Sequence, residues 1–403
     1  MQIFIEPSDV LLFRDGRPFS AGEGHRARSI FPPTPNTIQG VIRSKVLAER
    51  CGRYQEYRDG CLHCPENNNC TIPEEIGTPA HNHYGNLQIK GTLLAKHEKS
   101  DLTAYFPVPT DIVQVKKKNA PAPESQLRYL SPLREKIPGI NDLAYSLHSL
   151  WTTESTPIEA VQGFLNQQNL VNYLLGENPG NVVSFDKLYE RESRFGIEVD
   201  NNIQAVKEGK LYQTEFIRCK ENIGLYIEFE GIKNLSANPD SDIGLIGIGG
   251  ENRVASYTNT IGIDWRDFKD KLMTQLKGSD GFKIYLATPT IFDSEHQQGW
   301  LPKWINPNTL SGEYEGIKLK LVSAAISGYQ TIGGWDVAHN KPKPTRRAVM
   351  AGSVYYFQTE ATPEEILKAF HWQNLADEKS EAQIGYGLSL VGSWNYCKFT
   401  DDK

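Results

Sequence analysis

At 403 residues the chain is longer than one hydrophobic core usually supports, so two domains are expected. Hydrophobic residues at 39%, aromatics at 10% and charged residues at 23% match ordinary globular proteins and exclude a disordered or fibrous chain. A formal net charge of -6 excludes a uniformly basic coat for nucleic acid, so any such site has to be local.

The start, Met1 to Pro7, lacks the basic opening and long apolar core of a secretory signal. No apolar run approaches the roughly eighteen residues of a membrane span, so no membrane partner is expected. Ile3 to Ile5 and Val10 to Phe13 read as a strand bent at Pro7. After the Pro-rich turn Phe31 to Asn36, residues Ile38, Val41, Ile42 and Val46 fall at helical spacing, which predicts a helix over Thr37 to Glu49.

Residues 51–140 are rich in Pro, Gly, Asn and charge, and read as a long insertion. Residues 141–178 carry Leu143, Leu147 and Leu150, then Phe164, Leu170 and Leu174, and are expected to be mostly helical. Leu211 to Arg218 and Ile223 to Gly231 alternate around a short connector and predict a hairpin. The Gly-rich stretch Gly244 to Gly250 then leads into a strand over Ala255 to Ile263.

A second set follows: a helix over Trp265 to Leu276, strands at Phe282 to Thr288, Lys318 to Ser327 and Ser353 to Gln358, a helix over Pro363 to Trp372, and a strand at Leu388 to Trp394. The expected fold class is α+β, with two ferredoxin-like (RRM-like, split βαβ) units side by side. The first unit spans 1–262 with a Cys-containing insertion around 51–178, and the second spans 263–403.

Three features carry chemistry. Arg14, Arg17, His25, Arg26 and Arg28 crowd one loop, opposed only by Asp15 and Glu23. Guanidinium forks suit phosphate and stack on bases, although the same arginines also suit surface carboxylates. The helix that follows offers first-turn N–H groups to an anion and carries Arg43 and Lys45, which either meet RNA or face solvent. In the second half, His339, Lys341, Lys343, Arg346 and Arg347 form a basic stretch with no carboxylate among them, either an extended tip suited to an RNA backbone or a solvated turn. Of the aromatics nearby, Tyr329, Tyr355 and Tyr356 sit at strand spacing typical of core, and Trp335 is the candidate for base stacking.

Cys51, Cys61, Cys64 and Cys70 give a C-x9-C-x2-C-x5-C spacing in a segment poor in apolar residues. Four thiolates satisfy tetrahedral zinc, and such a segment would gain its order from the metal; an iron-sulfur cluster or free thiols are the alternatives. Crowded cysteines of this kind fit a reducing, cytoplasmic setting better than a disulfide framework.

Several strings, taken in order, resemble the third RAMP subunit of the type III-B CRISPR Cmr effector complex, a relative of handle-binding subunits in other CRISPR complexes. They are Phe13 to Phe19 running on to Gly22, His25 and Phe31 to Pro35; Arg194-Phe195-Gly196-Ile197; Gly249-Gly250-Glu251-Asn252-Arg253; Thr288 to Phe292; Gly334-Trp335-Asp336; Arg347 to Tyr356; and Ile384-Gly385-Tyr386-Gly387-Leu388. The resemblance implies a non-catalytic subunit that holds the 5′ handle of the guide RNA, docks the large palm-domain subunit and meets the backbone RAMP subunits. It adds Arg253, Gly385 and Gly387 to the RNA-binding set, the glycines as a loop whose N–H groups approach phosphate or ribose, with a tight structural turn as the alternative reading of the pair. The cysteine cluster is not part of that family pattern.

Two other functions compete. A RAMP-type endoribonuclease acting on repeat RNA would use His25 as its general acid or base, yet the sequence offers no second group to pair with it. A pure protein scaffold without RNA contact suits the acidic balance. Metal-dependent hydrolysis lacks any H-E-x-x-H pair or clustered acidic motif.

Overall fold

The computed structural model describes residues 1–14, 26–60, 70–79, 83–99, 101–115, 126–135, 146–200, 205–236, 238, 241–292 and 299–397, with backbone alone at 26, 198–200 and 205–211. Its fold is mixed α+β, built on several antiparallel sheets. The largest has seven strands in the order Phe164–Asn166, Asp101–Pro107, Gln88–Glu98, Ile223–Glu230, Gln2–Pro7, Val254–Asn259 and Ile243–Gly247. A six-stranded sheet runs Ser311–Tyr314, Ile317–Ala325, Val354–Gln358, Gly281–Leu286, Leu388–Trp394 and Gln373–Asn374.

Side-chain alternation in the opening strand decides which face meets what. Ile3 and Ile5 share a core with Ile38, Val41, Ile42 and Val46 of the helix Pro35–Arg50. Phe4 points the other way, joining Leu93, Phe106 and Tyr226 in a core that also holds Trp265, Phe268 and Phe282 from the second half. The two halves therefore share one apolar interior.

A buried polar network crosses the same region. Asp111 is fully buried and accepts hydrogen bonds from Tyr173 Oη at 2.7 and 2.8 Å and from Tyr356 Oη at 2.5 Å. Lys283, also buried, donates from Nζ to the Tyr173 carbonyl at 3.2 Å and sits 3.5 Å from the Tyr173 ring centroid. Burial lowers the Lys283 ammonium to about 8, against the pull of the Asp111 carboxylate. A cavity of about 180 Å³ opens beside Lys283, lined also by Tyr129, Ser393 and Tyr396.

Three sequence expectations give way to the structure. Strands Ala205–Cys219 and Ile223–Glu230 do not pair with each other: the first pairs with Tyr189–Asp200, while the second lies between Gln2–Pro7 and Gln88–Glu98. The change of sheet at this turn puts Leu225 and Ile227, both fully buried, in the core with the opening strand and its helix. Part of the supposed insertion, Gln88–Glu98 and Asp101–Pro107, lies inside the main sheet. Its Leu93-Leu94-Ala95 run has both faces covered and so lacks the alternation that marks a half-exposed strand. Of 141–178 only Gln167–Leu174 is helical among the described residues, with short strands at Leu150–Trp151, Ile158–Ala160 and Phe164–Asn166.

No helix among the described residues is long and apolar enough to cross a membrane.

Candidate nucleic-acid interface

Two short antiparallel ladders stand on the second half of the chain. Tyr329–Ile332 pairs with Arg346–Val349, and Trp335–Asp336 pairs with Lys341–Pro342. Asp336 closes the tip between them, accepting from the His339 backbone N–H at 3.1 Å and lying 2.9 Å from its Nδ1. Ile332 and Ala348 anchor the base in a small core with Tyr84, Ile291, Ile384 and Tyr386. The inward residues fix the ladders, which leaves the others at the surface.

The exposed side chains are of two kinds. Trp335 is 56% and Tyr329 58% exposed. Lys341 is exposed and Lys343 half-buried, and neither side chain has a hydrogen-bonding acceptor among the described residues. Burial brings the Lys343 ammonium below the ordinary lysine range, with Asp336 opposing and the Arg43 guanidinium adding to the effect. Arg347 lies exposed with its guanidinium carbon 4.6 Å from the Tyr329 ring centroid. Arg346 is held by Glu381. Burial raises the Glu381 carboxyl to about 7 despite Arg346, with Glu378 and Asp377 reinforcing the rise. Residues 329–350 thus contain four basic side chains against one carboxylate in a chain of net charge -6.

Arg43 belongs to this neighbourhood through Tyr84, whose ring centroid is 5.5 Å from its guanidinium carbon. Its Nη atoms donate to Gln39 Oε1, Tyr57 Oη and the Thr78 carbonyl, so the residue braces the helix against the segment that follows it. Lys45 pairs with Glu49 at 2.5 Å and sits over the Tyr257 ring, the helix-surface pair expected of an i, i+4 spacing.

Of the predicted arginine loop, Arg17 and His25 lie outside the described residues. Arg14 is exposed and its backbone bridges to Ser29, while Arg26 contributes backbone to a two-residue strand beside Gln213 and Thr214. Arg28 is exposed with no acceptor among the described residues. Arg253 stands apart from the ladders: it pairs with Asp9 and Glu251, and its guanidinium lies 5.2 Å from the Phe216 ring, which Arg194 approaches at 4.9 Å. Sequence reading missed this arginine grouping, which includes Arg218 bound to Asp9 and Glu192, because its members come from separate parts of the chain.

Gly385 and Gly387 serve the protein's own packing. Their N–H groups donate to the carbonyls of Ala382 and Pro289. A Cβ on Gly385, at φ +111, would sit 2.5 Å from the Gly91 carbonyl oxygen, and one on Gly387 would sit 2.8 Å from the Leu375 nitrogen. Both N–H groups are taken up within the fold, as in a tight structural turn.

Cys51 and Cys70 line one small cavity with Tyr57, Ile72 and Pro73, and both thiols are free of disulfides. Cys61 and Cys64 lie outside the described residues, and among those described no three His, Cys, Asp or Glu side chains are grouped to hold a metal.

The family model described as CRISPR-associated protein (Cas_Cmr3) matches residues 3–394. No curated protein matches the sequence. Among solved structures, a chain in the type III-B Cmr-beta bound to cognate target RNA and AMPPnP aligns at 15% identity and a TM-score of 0.50, covering 96% of each chain. A chain in the type III-B Cmr-beta bound to cognate target RNA aligns at 17% identity and a TM-score of 0.47, covering 96% of this chain and 95% of that one.

Proposed function

Because the chain belongs to the CRISPR-associated protein (Cas_Cmr3) family, we propose that it is the third RAMP subunit of a type III-B effector complex. In this reading it consists of two ferredoxin-like units, works in the cytoplasm and catalyses no reaction of its own. It holds the 5′ repeat-derived handle of the guide RNA and docks the large palm-domain subunit and the backbone RAMP subunits. The observation that carries the reading is the pair of ladders, where Lys341 and Lys343 lack acceptors among the described residues beside the exposed Trp335. Ammonium groups without a hydrogen-bond acceptor among the described residues, on a ladder that also carries an exposed aromatic ring, suit a single-stranded nucleic acid, whose backbone takes the charge and whose bases take the ring. The neighbour of TM-score 0.50 is a chain of a type III-B Cmr-beta solved bound to cognate target RNA, in keeping with such a role.

The test is to purify the tagged chain from its native cells and sequence the 5′ ends of the RNA that comes with it. A single repeat-derived 5′ end, with a large partner subunit, is expected. Absent or random RNA would leave the scaffold reading in its place, and cleavage of repeat RNA lost in His25→Ala would favour the nuclease.

We also propose a structural zinc site formed by Cys51, Cys61, Cys64 and Cys70. Its support is that the two described members line one cavity although nineteen positions apart in the chain. Metal analysis of the purified chain, with thermal unfolding before and after chelation, checks it. Zinc-free protein that melts unchanged after chelation rules it out.

A further inference from the structure

Strand spacing predicts a core position for Tyr329, yet this residue is more exposed than Trp335. The strand that carries it explains how. It pairs Tyr329 with Val349 and Thr331 with Arg347, and the buried Ile332 and Val349 hold the ladder down without enclosing the ring. The ring is approached by a cation: Arg347 Cζ lies 4.6 Å from the centroid. A guanidinium at that distance limits the freedom of the ring and polarises it, while more than half of the residue stays open to solvent.

From this geometry we infer that Tyr329 is a base-stacking platform, with Arg347 as the residue that positions it, and that the ladders take unpaired bases rather than duplex. The inference rests on the RNA-binding reading and deepens it. An aromatic face accepts any base, because every base has a π face, so the platform adds affinity without reading sequence. Duplex RNA keeps its bases stacked on one another and offers the ring nothing. The charge of Arg347 at the ring, with Lys341 and Lys343 on the neighbouring ladder, favours a polyanion over an apolar protein surface as the occupant.

The experiment uses the full-length chain with Tyr329→Ala and Tyr329→Phe, titrated against a short single-stranded RNA, the same RNA with abasic sugars, and a duplex of equal length. The wild type should prefer the single strand with bases. Tyr329→Ala should weaken that binding by about 10-fold, Tyr329→Phe should restore it, and neither should change binding to the abasic strand. Unchanged thermal midpoints establish that the exposed position leaves folding intact. Wild-type binding to RNA with Tyr329→Ala equal to wild type overturns the platform and leaves the RNA reading standing. No wild-type binding to any of the three RNAs overturns both. RNA binding intact in Tyr329→Ala with loss of a protein partner identifies the ring as a docking residue and overturns the inference.

Discussion

Arg50 and Glu75 show how one side-chain pair fastens three parts of the chain. The guanidinium donates to both carboxylate oxygens at 2.6 and 2.7 Å, Thr71 donates at 2.5 Å and the Lys233 N–H at 2.9 Å. Burial alone would raise the Glu75 carboxyl, but these donors and the Arg50 charge prevail and bring it down to about 2. The end of the long helix, the short helix Ile72–Ile76 and the loop at Lys233 are thereby tied together. With only 6% of the Glu75 side chain exposed, Glu75→Gln is expected to cost about 3 kcal/mol in chemical denaturation near neutral pH. The folded carboxyl loses protons more readily than the unfolded one, so its contribution is complete above the ordinary value of 4.5 and fades as pH falls toward about 2. The gap between wild type and variant should close over that acidic window.

Elements decide what reaches the surface, and the two ladders are where charge and exposed rings coincide. Lys341→Glu with Lys343→Glu should weaken single-stranded RNA binding and flatten its dependence on salt. The logarithmic slope is expected to fall by about 0.7 for each phosphate no longer neutralised. An unchanged slope would mean that RNA lies elsewhere. The stretch itself was legible in the sequence, since basic residues without carboxylates between them are a local pattern. The long helix and the strands after Gly281 were legible for the same reason: their apolar spacing is local. What the sequence hid is non-local. The burial of Leu93 to Ala95 on both faces, the change of sheet between Cys219 and Ile223, and the arginines around Phe216 depend on partners far along the chain. Gly385 is the instructive case, because its need for glycine comes from the Gly91 carbonyl, nearly three hundred positions away.

For the molecule as a whole, the shared interior means that its halves stand or fall together. Asp111 follows a strand of the first sheet, Tyr173 comes from the helix Gln167–Leu174, and Lys283 and Tyr356 come from the second sheet. Asp111→Ala would leave the Tyr173 hydroxyl without its acceptor, leave Tyr356 with only the Leu130 carbonyl, and remove the countercharge of Lys283. A loss of about 3–5 kcal/mol is expected, seen as one earlier transition monitored by both tryptophan fluorescence and circular dichroism. Two separated transitions would show that the halves unfold independently.

The strand Ile243–Gly247 forms the last position of the seven-stranded sheet, with Ile243 66% and Leu245 64% exposed. An apolar margin of this kind is a risk in a crowded cell, since unpaired strand edges recruit one another. Left uncovered, the margin makes copies of this chain prone to self-association at high concentration. Leu245→Lys should raise the concentration at which the purified chain stays monomeric, read by light scattering, with its thermal midpoint unchanged.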